Sequence, residues 1–161
     1  MTIKIGDRLP DATFRTMTAD GPAPKTTEEV FAGKTVVLFA VPGAFTPTCH
    51  KNHLPGFVAK ADEIMAKGVS AIYATSVNDV FVMDAWQKAS GAAGKVGMLA
   101  DGNGDFAKAV GLDNDSSAFG MGIRSKRYAM IVKDRVVTSL AVEDAPGKAD
   151  VSGAEALLKA L

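Results

Sequence analysis

The chain has 161 residues, 47% of them hydrophobic and 22% charged, long enough to bury an ordinary core and too apolar for disorder over most of its length. Eighteen Lys and Arg balance eighteen Asp and Glu, and without a basic run the chain has no electrostatic footprint for nucleic acid or an anionic membrane. A single cysteine, Cys49, excludes an intrachain disulfide, and with only His50 and His53 beside it a structural zinc site is not expected. No run approaches the roughly 18 apolar residues of a membrane span, and residues 1–7 lack the apolar core of a signal peptide. One domain over residues 1–161, in a reducing, cytoplasmic compartment, is the expectation.

In chain order, Met17–Lys25, with Gly21, Pro22 and Pro24, reads as a surface loop. Thr26 and Glu29 have the capping-box spacing of a short helical turn that ends at Gly33. Thr35–Val41 and Val69–Thr75 are nearly continuous apolar runs, as expected of strands covered on both faces. Between them Phe57, Ala61, Ile64 and Met65 repeat at helical spacing, closed by Gly68. Val82, Ala85, Trp86 and Ala89 repeat it again, with Asn78 or Asp79 as N-cap. Val96–Ala100 is a weaker strand. Tyr128–Val132 and Val136–Val142, separated by Lys133–Arg135, are a hairpin. Ala154, Leu157, Leu158 and Leu161 form a final helix, with Ser152 and Glu155 at capping-box spacing. Helical links imply parallel neighbours and the short link an antiparallel one. The fold class is α/β, a mixed central sheet with helices on both faces, similar to the thioredoxin-like kind.

The chemistry concentrates in Val41–His50, where the chain leaves the first apolar strand, the end at which open α/β sheets bind ligands. Thr46 followed by Pro47 suits an N-cap and first helical position, which makes Cys49 the third helical residue. There the helix dipole and unpaired amides favour thiolate over thiol. The Thr46 hydroxyl, three residues back, either faces the sulfur or caps the Cys49 amide. His53 lies one turn ahead on the same face, and Pro55 should kink or break the helix near it. Spacing alone leaves other readings open. Cys49 can be a buried small hydrophobe in a silent thioredoxin-like binding module, His50 a solvated neighbour, and His53 a group satisfying local backbone. Alternatively, Cys49 is the nucleophile of a hydrolase or transferase with His53 or His50 as base.

Pro42-Gly-Ala-Phe-Thr46-Pro-Thr-Cys49 resembles the P-x-x-x-T-x-x-C signature of the peroxiredoxins. His53-Leu-Pro-Gly-Phe57, Ser76-Val-Asn-Asp79, Leu99-Ala-Asp101 and Arg124-Ser-Lys-Arg-Tyr-Ala-Met-Ile-Val132 are similar, in the same register, to the peroxiredoxin-5 (type II) branch. The resemblance implies a thiol peroxidase. In it Cys49 attacks a peroxide and becomes sulfenic acid, and Thr46 hydrogen-bonds the sulfur and the peroxide. Pro42 walls the pocket, Arg127 holds the thiolate and polarises the O–O bond, and the amides of Thr48 and Cys49 stabilise the leaving oxygen. Only the register of the resemblance chooses Arg127 over Arg124. It also implies a homodimer built on the face around the active-site loop, with Phe45 and Phe81 as candidates for that surface or, equally, for core packing; nothing in the sequence calls for a bound metal, flavin or haem. Some relatives place a resolving cysteine where this chain has Ala74, and position 48, often glycine, is Thr48. With no second cysteine, the resemblance points to an external thiol as reductant: glutathione, glutaredoxin or thioredoxin.

Overall fold

The computed structural model describes residues 2–145 and 147–161. Its elements run β1 (Thr13–Thr18), β2 (Gly21–Thr26), α1 (Thr27–Phe31) and β3 (Thr35–Ala40). A helix then starts at Pro47, widens into a π-turn over Cys49–His53 and continues as α2 (Leu54–Met65). The rest is β4 (Ala71–Ser76), α3 (Val80–Ala89), β5 (Gly97–Ala100), α4 (Asp105–Ala109), β6 (Asp113–Asp115), β7 (Ile123–Ser125), β8 (Tyr128–Lys133), β9 (Val136–Val142) and α5 (Ala154–Ala160). Seven strands form one sheet in the order β2-β1-β5-β4-β3-β8-β9, and β6 pairs with β7 apart from it. β3, β4 and β5 are parallel, while β8, β9, β1 and β2 join antiparallel.

The period-two alternation of strand side chains divides the core. Val37 and Phe39 of β3 face one way, into a layer with Phe57 and Ile64 of α2, Met83 and Trp86 of α3 and Leu157 of α5. Val36, Leu38 and Ala40 face the other way, toward Phe14, Phe31 of α1 and Phe106 of α4. Helices therefore cover both faces, and β3 is buried on both. At the β4–β5 pair the packing demands a glycine, because a Cβ on Gly97 would lie 2.6 Å from the Tyr73 ring.

Three expectations are corrected. The stretch 17–25 is not a loop but most of the β1–β2 hairpin, turning through Ala19 and Asp20 into Gly21, whose φ is +103°. Pro22 and Pro24 are tolerated because β2 is the sheet's outer strand; being two apart, both nitrogens lie on the same side, where no partner strand needs a donor. Ser152 does not cap α5, whose N-cap is Gly153, because its hydroxyl is bonded to Glu143 instead. Of the kink or break expected at Pro55, the break does not occur. The proline's missing N–H falls just after the π-turn, where Leu54 N already reaches back five residues to Cys49 O, and the wide turn absorbs the lost bond. The Thr26–Glu29 capping box and the Asp79 N-cap form as expected.

Candidate active site

The parallel strands β3 and β4 end side by side, and the loop leaving β3 is tied to the end of β4. Asn78 Oδ1 accepts from the Ala44 amide at 2.9 Å and from the Ser76 hydroxyl at 2.5 Å. Within this loop Phe45 has φ +65°, a left-handed conformation uncommon for a bulky side chain and a mark of a loop held under strain. Thr46 then opens the helix, its carbonyl accepting from His50 N at 2.8 Å. The amides of Thr48 and Cys49 lie in the first turn, where a helix offers its amides no carbonyl of its own.

Cys49 is fully buried. Its Sγ lies 2.8 Å from Thr46 Oγ1 and 2.9 Å from Arg127 Nη2. The Thr46 hydroxyl thus faces the sulfur rather than capping the amide, and it also lies 2.7 Å from Gly43 O. One hydroxyl proton serves both partners. It can go to a thiolate, or go to Gly43 O while a thiol S–H donates to Oγ1. The guanidinium, 2% exposed, thus lies within hydrogen-bond reach of the sulfur.

Arg127 also fixes His53. Nη1 donates to His53 Nδ1 at 2.9 Å, and on the other side of the ring Nε2 lies 2.8 Å from Ser152 O. Arginine only donates and a carbonyl only accepts, so these partners assign the neutral tautomer with its proton on Nε2. The ring is walled by Phe39 and Phe57, at centroid distances of 4.9 and 5.6 Å. Burial, together with the Arg127 charge, lowers the His53 pKa to about 4 against the opposing pull of Ser152 O. The π-turn brings Cys49 and His53, four residues apart, to the same arginine.

The remaining candidates spread around this centre. Pro42 is half-buried in the bend after β3. Thr48 Oγ1 donates to Gly147 O at 3.2 Å, which points its side chain toward the segment before α5. Arg124 is not on the sulfur: its Nε donates to Met121 O, and its guanidinium lies over Gly43, where a Cβ would come within 3.3 Å of Nη1. His50 accepts from the buried Trp86 Nε1 at 3.3 Å and packs against Phe45, so it is a packed neighbour rather than a solvated one. His53 satisfies a carbonyl and an arginine far away in sequence, not local backbone. Ser152 and Glu143, which complete its surroundings, carry no local signal of that role. Among the described residues no group of three or more His, Cys, Asp or Glu could hold a metal ion, and no helix is long and apolar enough to cross a membrane.

Comparison with known proteins agrees with this geometry. The Redoxin family matches residues 4–158. The chain is 50% identical to peroxiredoxin-2E-2, chloroplastic, of Oryza sativa subsp. japonica, over 99% of this chain and 73% of that protein. It superposes on reduced Prx3 in complex with hydrogen peroxide from Vibrio vulnificus with a TM-score of 0.94 and 52% identity, covering 99% of each chain. On peroxiredoxin 5 from Alvinella pompejana the TM-score is 0.85 at 35% identity, covering 98% of this chain and 97% of that one. With a cysteine, a threonine and an arginine gathered at the mouth of a thioredoxin-like sheet, and with these likenesses along almost its whole length, the chain belongs to the Redoxin family as a peroxiredoxin.

Proposed function

We propose that this peroxiredoxin reduces hydrogen peroxide and organic hydroperoxides through a sulfenic acid on Cys49, which an external thiol then reduces. The observation that carries the reading is the pair of contacts on Sγ, from Thr46 Oγ1 and Arg127 Nη2. The thiolate attacks the terminal peroxide oxygen, the S–O bond forms as the O–O bond breaks, and the departing oxygen takes a proton to leave as water or an alcohol. Negative charge moves from sulfur to that oxygen. A donor set already aimed at the sulfur can follow it without reorganising, and we assign this to Arg127, the Thr46 hydroxyl and the amides of Thr48 and Cys49, with Pro42 as a wall of the pocket. The similar Vibrio chain, solved with hydrogen peroxide, supports that substrate.

The chain has no second cysteine, so a first external thiol condenses with the sulfenic acid, releasing water, and a second attacks the mixed disulfide, regenerating the Cys49 thiol as the two external thiols leave joined as a disulfide. Glutathione, with glutaredoxin or thioredoxin, is the reductant proposed, and the cytoplasm the compartment that would supply it. Because Cys49 is buried, a thiol as bulky as glutathione reaches it only when the first turn opens. Phe45 and Phe81, 45% and 64% exposed, flank the Ala44–Asn78 tie, and we propose that they lie in a homodimer interface. The hydrolase reading needs an imidazole on the sulfur. Here His53 Nδ1 is taken by Arg127 and His50 Nδ1 by Trp86. The test is peroxide consumption with glutathione by the chain and by Cys49→Ser. Turnover lost with the fold intact supports the reading, and turnover retained by the variant overturns it.

A further inference from the structure

The polar groups around Cys49 continue as a buried chain into the segment between β9 and α5. Arg127 and His53 are each 2% exposed, Ser152 is fully buried and Glu143 is 9% exposed. Glu143 Oε2 accepts twice from one residue, from Ser152 N at 2.7 Å and Ser152 Oγ at 2.6 Å. Those two bonds fix the Ser152 residue, and its carbonyl is the group that meets His53 Nε2. At its other end Glu143 donates its amide to Arg127 O at 2.9 Å. The hydrogen bonds therefore close a cycle: Arg127 to His53, His53 to Ser152, Ser152 to Glu143, and Glu143 back to the main chain of Arg127.

We propose that Glu143 and Ser152 are positioning residues for Arg127, acting through the tautomer of His53. This rests on the peroxidase reading of Cys49 and Arg127. With the Ser152 carbonyl facing Nε2, the ring keeps its proton there and Nδ1 stays bare as the acceptor for Nη1, which leaves Nη2 directed at Sγ. A proton on Nδ1 would set two donors face to face, displace the guanidinium fork and turn a bare Nε2 onto a carbonyl oxygen. Two local features show the segment built for this geometry. Ser152 forgoes the α5 cap that its spacing with Glu155 would allow. Gly153 follows in a turn so tight that a Cβ there would lie 2.8 Å from Ala149 O.

The test is nitrogen-15 NMR of the histidine rings in the native chain, Glu143→Ala and Glu143→Gln, alongside the rate of Cys49 oxidation by hydrogen peroxide. The native chain should show His53 protonated on Nε2 alone. In Glu143→Ala the proton should be shared with Nδ1 and the oxidation rate should fall about tenfold, the scale of one misplaced hydrogen bond. Glu143→Gln, which keeps an acceptor for Ser152, should restore most of both. If Glu143→Ala does not fold, Ser152→Ala, which keeps the carbonyl and amide but removes the hydroxyl, should show a smaller change in the same direction. A folded alanine variant whose His53 keeps its pure Nε2 tautomer overturns the proposal, whether or not its rate falls. A native chain that ignores peroxide would overturn the peroxidase reading instead, while the ring spectra would still report the tautomer.

Discussion

Acid should destabilise this fold through His53 in particular. The histidine titrates near 6.5 when exposed in the unfolded chain, but burial and the adjacent Arg127 charge lower it to about 4 in the native one. Between those values the unfolded chain holds a proton that the native chain does not. Stability from this group is therefore fully present above about pH 6.5 and is lost as the pH falls toward about 4. At about 1.4 kcal/mol per pH unit the loss approaches about 3 kcal/mol, a sizeable share of the roughly 5–15 kcal/mol that holds a domain folded. Urea unfolding followed by fluorescence of Trp86, the one tryptophan, measures it between about pH 4 and pH 7. The companion chain is His53→Gln, whose amide can still donate to Ser152 O and accept from Arg127 without titrating. Asp150 and Glu155, which line the cleft beside His53 with Lys60, are common to both chains, so the difference between the chains isolates His53. The native chain should lose about 3 kcal/mol more than the variant over that range; equal losses would refute the assignment of His53 as a buried, neutral acceptor.

Further substitutions probe the rest. Arg127→Lys keeps the charge but not the fork that reaches Sγ and His53 Nδ1 together, so peroxide reduction should slow at least about tenfold, and an unchanged rate would show that charge alone suffices. Thr46→Ser should keep most activity and Thr46→Val lose most of it, because the hydroxyl at 2.8 Å from Sγ is the group in use; equal activities would remove that role. Gly97→Ala should cost about 1–3 kcal/mol of stability in denaturant unfolding through overpacking on Tyr73, and a second change, Tyr73→Ala, should recover part of it.

The parts of this molecule that rest on local pattern were legible in the sequence. β3, β4, β8 and β9 follow from apolar runs, and the helix start at Pro47 from the Thr-Pro pair, because those signals lie within one element. The β1–β2 hairpin was hidden because prolines mark a loop unless the strand lies at an edge, and edge position depends on the whole sheet. The π-turn was hidden for a related reason: Pro55 predicts a defect in the helix but not the form it takes. Thr46 and Cys49 are three residues apart and could be paired by spacing. Arg127 lies 78 residues from Cys49, and Ser152 lies 99 from His53. No periodicity spans such distances, so only resemblance could choose between Arg124 and Arg127. For Ser152 the local pattern pointed elsewhere, to a helix cap with Glu155, and Glu143 carried no local signal at all.

The most direct test of the central claim is intact-mass spectrometry after one equivalent of hydrogen peroxide, with and without glutathione. Cys49 should gain one oxygen and, when glutathione is present, convert to a glutathione adduct. A mass unchanged by peroxide would contradict that claim.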